Sequence, residues 1–298
     1  RRAIAYSFNW TKYIASAYIG EAKQNAIPVP DTFSFFNGSL PKYGINLTAA
    51  AAEWAQAWGG LVLTNGFRFT LTYNTGSVPR QTSAQIIKAN LEAQNPKFHV
   101  DISEITWWPS FLHSPLNGGR AILAMFNIGW LADFPDVHNF VGPFMASWGD
   151  FGFAQSIYLD PYSHLMDDYI RWGFGNTTDA LRAYNYNKLY ELYVQEVPSV
   201  PLVQGLGRRW ARDWVKGWYY NAIYPGTYAY SMWKEQMLWE DVNQDGKVDI
   251  KDLAAIAKCY GANYPDPRYY RNYDLNDDDK IDIKDLALVA INYGATVP

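Results

Sequence analysis

Two stretches of this chain carry oxygen-bearing side chains at nearly every second position. Residues 241–252 read Asp-Val-Asn-Gln-Asp-Gly-Lys-Val-Asp-Ile-Lys-Asp, and residues 274–285 read Asp-Leu-Asn-Asp-Asp-Asp-Lys-Ile-Asp-Ile-Lys-Asp. In both, oxygens recur at loop positions 1, 3, 5, 9 and 12. That spacing wraps one hard cation such as calcium, which takes about 6–8 oxygen ligands. The first candidate set is Asp241, Asn243, Asp245, Asp249 and Asp252, with the backbone carbonyl of Lys247 at position 7. The second is Asp274, Asn276, Asp278, Asp282 and Asp285, with the carbonyl of Lys280. Two calcium ions per chain are expected. Gly246 stands at position 6, where the turn needs a left-handed backbone. Asp279 holds that place in the second loop, so the second site is expected to be weaker or more strained. A single acidic loop could be a solvated face; two in register argue against that.

Each loop runs into the same short helical pattern, over 250–261 and 283–294. Leu253, Ile256 and Tyr260, like Leu286, Val289 and Tyr293, lie at i, i+3 and i+7. Each helix therefore has one apolar stripe, and the two stripes are expected to bury each other. Gly261 and Gly294 end the helices. No clear helix precedes either loop, and position 12 is Asp where a standard EF-hand has Glu. This duplicated loop and helix resembles a type I dockerin module, a small all-α, EF-hand-like domain, over residues 240–298. The resemblance implies docking to a cohesin domain through loop positions 10 and 11. Those are Ile250, Lys251, Ile283 and Lys284 here, in place of the Ser/Thr pairs common in cellulosomal dockerins. A cohesin-like partner and self-association both stay open.

The 240 residues ahead of the repeat read differently. A helix is expected over 1–15, a long loop around Pro28 to Pro41, and a helix over 48–58. The 67–73 stretch alternates as a strand, Pro79 opens a helix running to about residue 94, and 98–105 is the next strand. A short helix over 107–115, a strand over 121–129, helices over 161–173 and 177–196, and late strands at 200–203 and 214–220 complete the series. This β-α-β alternation indicates an α/β lobe.

Four segments then occur in order: 2–9 (Arg-Ala-Ile-Ala-Tyr-Ser-Phe-Asn), Leu71-Thr-Tyr-Asn-Thr-Gly with Arg80, Gly129-Trp-Leu-Ala-Asp-Phe-Pro-Asp, and Val215-Lys-Gly-Trp. The series resembles the second half of family 5 solute-binding proteins of ABC importers. The resemblance implies a type II periplasmic-binding-protein lobe over 1–239, with late strands returning to an N-terminal lobe outside this sequence. It implies an enclosed peptide or oligosaccharide solute, an ABC permease as partner, and no catalysis. In peptide-binding members an Asp in the Gly-Trp-x-x-Asp segment pairs with the α-ammonium group; the matching residue is Asp133. Trp130 could stack on the solute or belong to the core, and Trp107 and Trp108 could stack on sugar rings. Arg80 and Arg120 could pair a solute carboxylate or an internal acid.

Composition bounds the remaining classes. The net charge of −4 sits wholly in residues 241–298, which hold 11 acidic and 7 basic residues and leave 18 of each before them. No basic patch points to nucleic acid, and no stretch reaches the ~18 apolar residues of a membrane span. The four histidines form no zinc-protease spacing, and pairs such as Asp133 with Asp136 or Asp167 with Asp168 carry no mark of a glycosidase. A lone Cys259 excludes an internal disulfide and reads as a packing residue. Sequons at Asn9, Asn37, Asn46 and Asn176 suit an exported, glycosylated protein. The expected location is extracellular or cell-surface, membrane-anchored in the full-length protein, with this chain a piece of something longer.

Overall fold

The computed structural model describes residues 1–106, 123–221, 223, 227–234 and 238–296. They fall into two compact units, Arg1–Arg208 and Arg209–Pro298.

The first unit opens with two helices, α1 (Arg2–Ser7) and α2 (Trp10–Tyr18), where one was expected. The break is local. Phe8 is extended at ψ 135°, and the Asn9 side chain caps α2 by accepting from the Lys12 N–H at 2.9 Å. Strand β1 (Ala22–Lys23), helices α3 (Leu47–Gln56) and α4 (Leu61–Asn65), and strand β2 (Phe67–Asn74) follow. Helix α5 (Val78–Glu92) and strand β3 (Phe98–Ile105) lie where the period-2 and period-3.6 patterns place them. Strand β4 is only Met125–Phe126, shorter than the expected 121–129. The expected helix at 107–115 lies outside the described residues.

Strands β2 and β3 run parallel in register, from Phe67 opposite Phe98 to Asn74 opposite Ile105. On its other side β2 pairs parallel with β4, giving the order β3-β2-β4. A central parallel strand is covered on both faces, and accordingly Leu71, Thr72 and Tyr73 are all buried. Leu71, Leu91, Phe98 and Val100 form a core with Phe8 from the break between α1 and α2, Trp10 and Tyr13 from α2, and Trp54 from α3. Burying one such side chain contributes about 1.5–3 kcal/mol.

Beyond the sheet come α6 (His138–Met145), α7 (Asp150–Ala154), α8 (Ser163–Gly175) and α9 (Asp179–Glu196). Helices α6 and α7 escaped the sequence because Pro143, Gly149 and Gly152 read as breakers. Here glycine is demanded by proximity: a Cβ on Gly152 would sit 1.9 Å from the Ala146 carbonyl oxygen. Strand β5 (Gln204–Gly205) pairs antiparallel with β1, just beyond the expected 200–203.

In the second unit β6 (Val215–Lys216) pairs antiparallel with β7 (Trp233–Lys234). The expected strand over 214–220 ends early because Gly217 takes φ +77°, where a Cβ would come within 2.0 Å of the Ser231 carbonyl oxygen. The acidic repeat supplies α10 (Ile250–Lys258) and α11 (Ile283–Ile291). Their core is Val242, Val248, Ile256, Cys259, Ala262, Ile281 and Val289. The expected stripes are buried only in part, since Tyr260 and Tyr293 are about half exposed (49% and 54%). Among the described residues no helix is long and apolar enough to cross a membrane.

Candidate functional site

Parallel strands send their carboxyl ends to one edge, and loops leaving that edge are where open α/β sheets build ligand sites. The loop after β2 carries Arg80 into the first turn of α5, and the loop after β4 carries Gly129, Trp130 and Asp133. The two loops are tied together. Asn127 N–H donates to the Thr72 carbonyl at 3.0 Å, and its side-chain amide donates to Ser83 Oγ at 2.6 Å and the Arg80 carbonyl at 3.2 Å. The Arg80 guanidinium lies over Gly129, where a Cβ would come within 2.9 Å of Nη2.

Arg80 is half-buried and donates to Asn74 Oδ1. Burial holds its pKa below the usual value, partly offset by Tyr18 and Tyr13. Among the described residues no carboxylate stands at ion-pair distance from it, and the segment 107–122 contains no Asp or Glu. An arginine taken partly out of water without an anion is a group still seeking one.

Asp133 is exposed on the adjoining loop and makes no salt bridge among the described residues. Its neighbour Asp136 differs sharply, being paired with Arg182 Nη2 at 2.6 Å while accepting from the His138 N–H at 2.8 Å. The half-buried Trp130 ring packs edge-on against Phe144 and Phe151. The buried Asn139 accepts from Trp130 Nε1 at 2.9 Å and from the Asp133 N–H at 3.0 Å. Sequence reasoning passed over Asn139; only its place in the Asp-Phe-Pro-Asp-Val-His-Asn run could have drawn attention to it. Trp107, Trp108 and Arg120 lie outside the described residues.

The second pair of acids weighed as catalytic, Asp167 and Asp168, is committed elsewhere. Asp167 is buried and receives the Ser147 N–H at 2.8 Å and hydroxyl at 2.6 Å, while Asp168 faces Arg171 at 3.3 Å. The sequon asparagines are partly occupied as well. Asn46 is exposed and caps α3, Asn37 donates to Asn187 Oδ1 at 2.7 Å, and Asn176 donates to the Trp172 carbonyl.

In the repeat, the position-12 carboxylates Asp252 and Asp285 are fully buried. Asp252 accepts from the N–H groups of Asn243 at 3.1 Å and Asp249 at 2.8 Å; Asp285 accepts from Leu275 at 2.7 Å and Asp282 at 2.8 Å. Asp249 and Asp282 cap their helices, so positions 9 and 12 form a capping box in each repeat. Position 1 folds the loop: Asp241 accepts from the N–H groups of Asp245 and Gly246, and Asp274 from Asp278. Gly246 takes φ +89°, and Asp279 adopts the same left-handed region at φ +61°.

Among the described residues no three His, Cys, Asp or Glu side chains converge closely enough to hold a metal as they stand. The donor chemistry nonetheless fits a hard cation. Lys251 and Lys284 amines reach the position-5 carboxylates of Asp245 and Asp278 at 2.6 and 2.7 Å, and these pairings hold both carboxyls below their usual range. Asp278 Oδ1 is buried with no hydrogen-bond partner, and Asp252 and Asp285 have only backbone donors. Buried carboxylates short of positive charge favour a bound cation.

Each loop is also braced by the segment that follows the helix of the other repeat. Val248 exchanges backbone hydrogen bonds with Ala295 and Gly294 at 2.9 and 2.8 Å, and Ile281 does so with Ala262 and Gly261 at 2.9 and 2.8 Å. Between α10 and α11 an apolar groove of about 500 Å³ is lined by Ile250, Leu253, Ala257, Ile283, Leu286 and Ala290. Ile250 and Ile283, at loop position 10, are both 63% exposed on it.

Residues 1–152 match the family model of bacterial extracellular solute-binding proteins, family 5 (middle region), and residues 239–293 match the type I dockerin domain. Type I dockerin domains bind calcium. No curated protein matches the chain. Among similar solved structures is HbpA2 from Haemophilus parasuis, at TM-score 0.62 and 21% identity over 79% of this chain and 45% of that one. Another is the ABC transporter-associated periplasmic binding protein DppA from Helicobacter pylori with peptide STSA, at TM-score 0.59 and 24% identity over 78% and 43%. A third is the oligopeptide-binding protein AppA from Bacillus subtilis with a nonapeptide, at TM-score 0.61 and 16% identity over 79% and 47%. At these identities the likeness is one of fold. The chain spans less than half the length of each.

Proposed function

The chain belongs to the bacterial extracellular solute-binding proteins of family 5, and on that premise we propose that it contributes one lobe of a non-catalytic receptor for peptides. The receptor works outside the cell, closes on its solute and hands it to an ABC permease. Residues 1–239 form the C-terminal lobe, with the late strands returning to an N-terminal lobe, and residues 240–298 form a calcium-binding dockerin module. An oligosaccharide is the second solute class, resting on Trp107, Trp108 and the exposed part of Trp130.

The observation that carries the peptide reading is the pair of charges at the sheet's carboxyl edge. Asp133 lacks a basic partner and Arg80 lacks an acidic one among the described residues, while the neighbouring Asp136 is already satisfied by Arg182. A zwitterionic solute would supply both counter-charges, its α-ammonium to Asp133 and a carboxylate to Arg80.

Two calcium ions fill the loops through the twelve residues named above, and the module attaches the receptor to a surface scaffold. The apolar groove with Ile250 and Ile283 receives either a cohesin-like domain or a second copy of the chain. Asn9, Asn37, Asn46 and Asn176 are the proposed glycosylation positions, of which Asn46 is exposed. The full-length protein would be extracellular and held to the membrane.

Calorimetry on the full-length protein tests the solute contact. Asp133→Ala should weaken binding of peptides with a free α-ammonium by about 10- to 100-fold and leave N-acetylated peptides unchanged. Equal affinity of both proteins for the free peptide would sink the assignment.

A further inference from the structure

We infer that Asn139 is the positioning residue of this site, one buried side-chain amide that sets both the Trp130 ring and the Asp133 carboxylate. The inference rests on the reading of Asp133 as partner of a cationic solute group. Asn139 is 5% exposed and lies in the first turn of α6. Its Oδ1 accepts two hydrogen bonds, from Trp130 Nε1 at 2.9 Å and from the Asp133 N–H at 3.0 Å. Its Nδ2 donates to Asp133 Oδ2 at 3.4 Å. That last contact is long, so it orients the carboxylate while leaving most of its accepting capacity to a solute.

The chemistry is particular to a carboxamide. Oδ1 has two lone pairs and both are used, while Nδ2 supplies a donor that a carboxylate could not. Aspartate here would bring a second negative charge against Asp133. An apolar residue would leave the Trp130 N–H and the Asp133 N–H without their acceptor.

Asn139 is itself anchored. Its own N–H donates to the Asp136 carbonyl at 3.0 Å, and Asp136 is fixed by Arg182, whose guanidinium also lies over the Phe35 ring at 4.8 Å. A rigid α9-to-α6 tie therefore ends in one amide that reaches the exposed loop. Of the two loop acids, one carries the anchor and the other is presented. Trp130 is held by the same atom, so ring and carboxylate move together.

The test is a double-mutant cycle in the full-length protein, with titration calorimetry against a peptide bearing a free α-ammonium. Asn139→Ala should weaken binding about tenfold. Adding it to Asp133→Ala should cost clearly less than Asn139→Ala costs alone, because the share of its effect that runs through Asp133 is already gone. The indole N–H resonance of Trp130, identified by its disappearance in Trp130→Phe, should shift in Asn139→Ala. Wild-type affinity in Asn139→Ala, or a loss that adds in full to that of Asp133→Ala, overturns the positioning role. Wild-type affinity in Asp133→Ala instead removes the solute contact itself, and the inference falls with it. If Asn139→Ala does not fold, Asn139→Ser takes its place in every arm of the cycle.

Discussion

The two compact units differ in how they treat an acid partly or wholly removed from water. In the first, Asp136 meets Arg182 at 2.6 Å and Asp167 takes both the N–H and the hydroxyl of Ser147. In the second, Asp252 and Asp285 are fully buried and the donors to them are backbone N–H groups. The cores differ in parallel. The first packs large side chains such as Phe8, Leu71, Leu91 and Phe98, whereas the repeat relies on Val248, Ile256, Cys259, Ala262, Ile281 and Val289. A core that small contributes little on its own, the situation in which small domains draw on a structural metal. One unit is held by packing of large side chains; the other leaves buried carboxylates to backbone donors, an arrangement that a bound cation would compensate.

Chelation is the harshest way to break that comparison. With EGTA the transition of the second unit should fall by about 15 °C or more, while that of the first moves by less than about 2 °C. A calorimetric trace in which both transitions stay put would show that the repeat does not depend on calcium.

A packing lesion should do the reverse. Gly152→Ala places a Cβ 1.9 Å from the Ala146 carbonyl oxygen, and backbone cannot retreat as a flexible side chain would. About 3 kcal/mol should be lost, lowering the first transition by about 8 °C. Calcium affinity, read by titration, should not change. A normal first transition would mean that α6 and α7 can slide apart freely.

The smallest effect is one of pH. Burial holds the His138 imidazole below its usual pKa; Asp136 pulls it up and Arg182 pushes it down. Its Nδ1 has no partner, and its ring lies 4.3 Å from that of Phe174. The unfolded imidazole takes its proton near pH 6.5, the folded one only at lower pH. Its contribution to stability is thus complete above that value and is lost as the pH falls toward the folded pKa. The first transition should drop about 2 °C more between pH 7 and pH 5 in the wild type than in His138→Gln. The second unit contains no histidine and should give no matching difference. Identical pH profiles for the two proteins would remove His138 from the account.

Legibility followed the range of the forces involved. Strand β3 matches the expected 98–105 to the residue, and β2 begins where expected, because alternating burial is written locally. Both loop-helix repeats were legible for the same reason, since ligand spacing, capping box and apolar stripe all lie within one short segment. Helix α6 was not, because His138–Met145 contains Pro143 and is stabilised by aromatic contacts from elsewhere, such as Phe33 on Phe140. Nor was the short extent of the late strand at Val215–Lys216, which stops where Gly217 turns to φ +77°.

The candidate site divides in the same way. From the sequence came an α/β body and a duplicated cation loop, because residue type and spacing along the chain are local facts, while Asp133 was singled out by the resemblance of its Gly-Trp-x-x-Asp segment. Which charges remained available was decided by tertiary contacts. Arg182 lies 46 residues beyond Asp136 in the chain, yet its guanidinium claims that acid, while Asp133, three residues earlier, has no basic partner among the described residues. Asn139 could be assigned its place only once α6 set it behind the loop, with its donors within hydrogen-bond reach. Ion pairs and hydrogen bonds act over a few ångströms of space, and folding, not sequence separation, determines which groups come that close.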